Sequence, residues 1–124
     1  MRKFACLPGL LALTALAGCE KPLTAPANPG VCWIMVEGMN GKPDFRPIAP
    51  QIDSLENCAV RLEGVHIAQK RAVTGAYQGV FISVTDAEVS AAAGPNAQRY
   101  RVFTPQQRAK VREGIQTLME REGL

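Results

Sequence analysis

Four cysteines, a single histidine and a few serines are the side chains from which covalent or metal chemistry would have to be built in this sequence of 124 residues. A structural zinc site needs several Cys or His ligands at short spacings, and a thiol redox site needs C-x-x-C. Cys6, Cys19, Cys32 and Cys58 show neither pattern. His66 follows Cys58 on what reads as one helix, and their eight-residue separation amounts to about 12 Å of rise, too far for a thiol–imidazole dyad. Ser54, Ser83 and Ser90 sit in no G-x-S-x-G context, so the strained elbow that exposes a hydrolase serine is missing. There is no phosphate loop and no dinucleotide fingerprint. Carboxylates are available, but no spacing gathers two of them in a cleft. The expectation is therefore no catalytic residue, no metal and no cofactor, with a small envelope hydrolase as the enzymatic alternative.

The N-terminus explains one of the cysteines. Arg2 and Lys3 precede an apolar run over residues 4–16, the charged-then-apolar order of an export signal. That run is shorter than the roughly 20 residues that span a bilayer. It ends in Leu16-Ala17-Gly18-Cys19, which resembles the lipobox of bacterial lipoproteins at all four positions. The resemblance implies cleavage before Cys19 and acylation of its thiol and its new amine. It further implies, from Glu20 where an aspartate would retain the protein at the inner membrane, an outer-membrane address facing the periplasm. It covers only the first nineteen or so residues and bears on processing, not on activity. Ala15-Leu16-Ala17 offers ordinary signal peptidase a competing site. That cut would leave Cys19, Cys32 and Cys58 in an oxidising compartment, an odd number of thiols. Acylation of Cys19 leaves Cys32 and Cys58 as a pair.

Removing residues 1–18 also removes Arg2 and Lys3, so 12 of the 14 basic side chains face 11 acidic ones and the net charge falls from +3 to +1. A general electrostatic case for nucleic acid disappears with it. Charge is still unevenly placed: Arg99, Arg101, Arg108, Lys110 and Arg112 follow one another without an acid between them. Such a run either steers anionic partners or is a solvated helix face.

The elements follow from pattern. Residues 19–30, with Pro22, Pro26 and Pro29, read as a lipidated cysteine and a proline-stiffened tether, and residues 31–124 as one small domain. Residues 31–36 are a strand rich in β-formers, closed by a Gly38–Gly41 turn. Residues 42–50 carry three prolines and read as irregular. Asp53 with Glu56 resembles a capping box opening a helix to about Lys70, with Leu55, Cys58, Ala59, Leu62 and Val65 on one stripe. Residues 75–85 alternate as a strand with Val80, Ile82 and Val84 on one side and Tyr77, Phe81 and Ser83 on the other. Residues 86–97 are a small-residue connection with a helical turn, and residues 99–103 a short strand. Thr104-Pro105-Gln106-Gln107 combines N-cap, first-turn proline and N3 glutamine, the start of a helix whose stripe is Val111, Ile115, Leu118 and Met119. The order β-α-β-β-α predicts an α+β fold: a small three-stranded antiparallel sheet with both helices packed on one face.

A Cys32–Cys58 disulfide would pin the first helix to the first strand. It closes a 27-residue loop, worth about 3.5 kcal/mol on the chain-entropy account, a large share for a domain of this size. It also orients the sheet. If Cys32 points at the helix, Trp33 and Met35 point away. With Val80, Ile82, Val84, Tyr100 and Val102 inward, the outer face is expected to hold Tyr77, Phe81, Arg99, Arg101 and Phe103. Aromatic and arginine side chains on an uncovered face are the ingredients of a binding surface, and cover by residues 42–50 or by a second copy of the chain is the structural alternative. The functional expectation is a non-enzymatic cell-envelope lipoprotein, membrane-held through Cys19, that binds an envelope protein or peptidoglycan. The alternative is an inhibitor of an exported hydrolase.

Overall fold

The computed structural model describes residues 23–123, so the signal segment 1–18 and Cys19 lie outside the described residues. The fold is α+β, with two helices and one antiparallel sheet. In chain order the elements are β1 (Cys32–Glu37), β2 (Pro43–Ala49), α1 (Leu55–Gln69), β3 (Val73–Tyr77), β4 (Val80–Val84), β5 (Val89–Ala92), β6 (Tyr100–Arg101) and α2 (Pro105–Arg121). The sheet has six strands in the order β2-β1-β3-β4-β5-β6, not the three expected, and the element order differs accordingly. Among the described residues no helix is long and apolar enough to cross a membrane.

Each extra strand has an identifiable cause. Residues 42–50 form β2 in spite of Pro43 and Pro47, because β2 is an edge strand that pairs only with β1. An edge strand tolerates a residue without a backbone donor. Residues 75–85 are not one strand but the tip of the β3–β4 hairpin. Gln78 and Gly79 form its two-residue turn, with φ of 48° and 86°, the pair of positive φ values that matches strand twist in tight hairpins. Residues 89–92 form β5 instead of a helical turn, and all four are buried. Residues 99–103 contribute only the two-residue β6.

The core lies between the sheet and α1. Cys32, Ile82, Val84 and Val89 from the sheet meet Cys58, Ala59 and Leu62 of α1, and none of the seven retains exposed surface. Gly75 permits this approach: a Cβ there would strike the Trp33 carbonyl oxygen and both methyls of Leu62, so any side chain would push helix and sheet apart. Cys32 and Cys58 are joined as a disulfide, with Cα atoms 5.3 Å apart.

Helix caps set the ends. Ser54, rather than Asp53, is the N-cap of α1 and accepts a hydrogen bond from the Asn57 N–H at 3.1 Å. Lys70 closes α1 in the left-handed region at φ 56°. α2 begins with the expected capping box: the Thr104 hydroxyl accepts from Gln107 N–H at 3.1 Å and the Gln107 side chain accepts from Thr104 N–H at 2.8 Å. α2 packs against α1.

Residues 23–30, the described part of the segment read as tether, dock on the sheet. Ala25 is buried, the Gly79 N–H donates to the Pro26 carbonyl at 2.8 Å, and the Gly30 N–H donates to the Gln78 side-chain oxygen at 2.8 Å. The chain therefore runs across the β3–β4 turn before it enters β1. Proline removes donors from such a segment, and here the carbonyl of Pro26 supplies the contact.

Candidate functional site

Two places in the described residues gather polar or aromatic side chains: a buried ionic cluster between the helices, and the outer face of the sheet.

The cluster is built on Glu63 of α1, which has no exposed surface. Arg108, one turn into α2, grips it with both forks of its guanidinium: Nε to Oε2 at 2.8 Å and Nη2 to Oε1 at 3.0 Å. Arg108 also donates to the backbone carbonyls of Thr85 at 2.6 Å and Asp86 at 3.2 Å, and Arg112 approaches the same carboxylate at 3.5 Å. Bidentate, charge-assisted bonds of this kind are what make a buried pair tolerable. His66, three residues along α1, is also buried. Its Nδ1 lies 2.7 Å from the Arg71 carbonyl and its Nε2 3.0 Å from Asp86 Oδ1.

Catalysis by this cluster meets a geometric objection. A base needs a ring nitrogen or carboxylate oxygen free for substrate, but both His66 nitrogens face oxygen acceptors and both Glu63 oxygens are held by Arg108. The groups tie α2 to α1 and to the end of β4. Among the described residues no group of three or more His, Cys, Asp or Glu side chains could hold a metal ion. Sequence reasoning missed this cluster. The available signal was Glu63 itself, an acid adjoining the apolar stripe of α1, with an unpaired-looking Arg108 in the basic run.

The outer face is organised by strand register. Trp33, Ala76, Phe81 and Ala92 stand opposite one another across β1, β3, β4 and β5, forming an apolar row. Ala76 retains no exposure between the two large rings. A second row, Thr74, Ser83, Ser90 and Arg101, runs beside it across β3 to β6 and carries three hydroxyls and a guanidinium. Met35 pairs with Phe45 of β2, and the Phe45 and Phe81 rings meet at 6.1 Å with a 44° tilt.

Of the seven residues expected on this face, five are there and two are not. Trp33, Met35 and Phe81 occupy outward positions of β1 and β4, and Arg101 of β6. Arg99, just before β6, lines the same surface. Tyr77 and Phe103 belong to the core. The hairpin turn resets the alternation, so Tyr77 pairs with Val80 and its hydroxyl donates to the Ile52 carbonyl at 2.6 Å. Beyond the two-residue β6 the chain bends inward and carries Phe103 into the core cluster. Nor does the expected cover apply: residues 42–50 extend the sheet instead of crossing it. Trp33 is half-buried beside Pro47, and its Nε1 is buried without a hydrogen-bond partner among the described residues.

What remains open is a cleft of about 470 Å³. Met35, Phe81 and Ala92 line its sheet side together with Thr74 and Ser83. Leu23 and the β5–β6 connection, through Gly94, Pro95 and Ala97, border it, and Arg99 completes the lining. The Arg99 guanidinium donates to the Ser90 hydroxyl at 3.3 Å and pairs with no carboxylate among the described residues. Arg101 differs: it pairs with Glu88 at 3.5 Å and lines a separate groove with Phe103 and Arg112. The cleft residues thus divide the expected binding set into Met35, Phe81 and Arg99 on one side, and Trp33 and Arg101 at its flanks. Comparison with known protein families, with curated proteins and with solved structures finds no match for this chain.

Proposed function

We propose that this chain is a cell-envelope lipoprotein of the outer membrane, held through an acylated Cys19, whose outer sheet face is a non-enzymatic binding surface open to the periplasm. One observation carries the reading: Met35, Phe81 and Arg99, which has no carboxylate partner among the described residues, line a single open cleft, whereas the buried ionic groups on the other side of the sheet hold one another. Apolar floor with one guanidinium suits a partner that presents an acidic group beside apolar surface, because arginine pairs with carboxylates in a fixed fork while rings cover flat apolar parts.

The test has two arms. Cells fed a labelled fatty acid should mark the wild-type protein and not Cys19→Ser; label persisting in that variant rejects the anchor. For the surface, photo-crosslinking in whole cells from a probe placed at Phe81 should give a discrete adduct that a probe at Glu113 on α2 does not. Identical adduct patterns from both positions would reject the outer face as the binding surface.

A further inference from the structure

We infer that the outer-face cleft binds the alkyl chain of a single-chain anionic amphiphile, a long-chain fatty acid in its simplest form, drawn from the adjoining leaflet. The inference rests on the reading of this face as a binding surface and names what it holds.

Size and lining argue for an alkyl chain. About 470 Å³ falls within the roughly 300–1,000 Å³ of ordinary ligand pockets. Met35, Phe81, Ala92 and Leu23 offer the alkyl chain's methylenes apolar contact in place of the leaflet they leave. A peptide in extended form is a poorer occupant. The strands beneath the cleft, β1, β3, β4 and β5, each have a hydrogen-bonded neighbour on both sides, so there is no strand edge for β-augmentation. A sugar would ask for many fixed donors and acceptors, and the lining offers the hydroxyls of Thr74 and Ser83 and the guanidinium of Arg99.

Charge argues for an anionic head. Arg99 is exposed at the cleft and, among the described residues, makes one hydrogen bond, to a neutral hydroxyl. No carboxylate among the described residues neutralises it, and a carboxylate or phosphate head would supply the missing charge-assisted pair.

Position argues for a lipid source. Leu23, at the cleft, follows Cys19 by four residues, a span of at most about 14 Å even fully extended. Because residues 25–30 are bound to the β3–β4 turn, a chain anchored at Cys19 carries its cleft within that distance of the anchor. An amphiphile entering the cleft would leave one apolar surrounding for another, with the guanidinium as the added attraction.

The experiment uses the full chain, wild type and Cys19→Ser, in phosphatidylcholine vesicles containing a diazirine-bearing palmitate. After irradiation, peptide mapping should place one label per chain on the segments holding Met35, Phe81 or Ala92, displaced by unlabelled palmitate. Arg99→Glu should reduce labelling about tenfold, as loss of a charge-assisted pair does, and the corresponding neutral alcohol should label about as weakly. Ala97→Trp, at an exposed rim position, should block labelling with an unchanged melting temperature. Label scattered over the surface, or unaffected by Ala97→Trp, overturns the inference, as does equal labelling by acid and alcohol. Labelling of Cys19→Ser but not of the acylated protein would mean that the chain's own lipid occupies the cleft, and overturns it too. Because Cys19→Ser carries the cleft without the anchor, a wrong anchor assignment leaves this labelling intact, while an empty cleft leaves fatty-acid incorporation at Cys19 intact.

Discussion

Arg108 and Arg99 lie nine residues apart in one basic run, yet the fold uses them in opposite ways. Arg108 is buried, binds both oxygens of Glu63 and donates to two backbone carbonyls. Arg99 is exposed and touches one serine hydroxyl. A buried charge persists only when it is well partnered, and the first arginine directs four of its five N–H donors at groups of the protein itself. An exposed guanidinium beside apolar surface keeps its capacity for a ligand. The same residue type is a structural clamp on the helical side of the sheet and the proposed recognition group on the other.

The largest expected effect comes from breaking the clamp. Arg108→Ala leaves the buried Glu63 carboxylate with only Arg112 nearby, at 3.5 Å, and should cost about 3–5 kcal/mol in denaturant unfolding. Replacing both partners by apolar residues, Glu63→Leu with Arg108→Met, should recover most of that loss. If the single variant melts like the wild type, the cluster is not the structural tie described, and the contrast between the two arginines fails.

Next in size is the covalent tie on the same side. Replacing Cys32 and Cys58 together by alanine should lower stability by about 2–5 kcal/mol. Non-reducing peptide mapping of periplasm-derived protein should recover one Cys32–Cys58 linked pair; two freely alkylated thiols would contradict it. A smaller loss attends His66→Ala, which leaves the Arg71 carbonyl without its ring partner and should cost about 1–3 kcal/mol. Rescue by His66→Gln, whose amide can reach one of the two acceptors, would show that the hydrogen bonds matter more than the ring.

The smallest stability change belongs to the outer face. Arg99→Glu should shift unfolding by no more than about 0.5 kcal/mol, as surface changes do, while weakening ligand capture markedly. A stability loss comparable to that of Arg108→Ala would make Arg99 a second clamp and erase the comparison.

Much of the covalent and local design was legible in residue order. The Cys32–Cys58 pair followed from thiol counting together with a strand and a helical stripe. α2 followed from Thr104, Pro105 and Gln107, whose capping contacts lie within four residues. Trp33 and Met35 were assigned their face by simple alternation from Cys32. Such signals are local, and local geometry is what neighbouring residues dictate. Contacts between distant segments decided the rest. β2 exists because β1 offers an edge on which prolines are tolerated. Tyr77 turned inward because two left-handed residues inverted the parity of a strand that read as continuous, and a single turn moves every later side chain to the other face. Glu63 and Arg108, 45 positions apart, meet only once both helices are in place. Residues 23–30, apolar in few places and rich in proline, gained order from the hairpin turn beneath them. The sequence alone determined where chain segments bend, cap and cross-link, because these depend on neighbours. Which arginine is buried, and which is left at an open cleft, was decided by tertiary packing, because burial is a property of the segments that close over a residue.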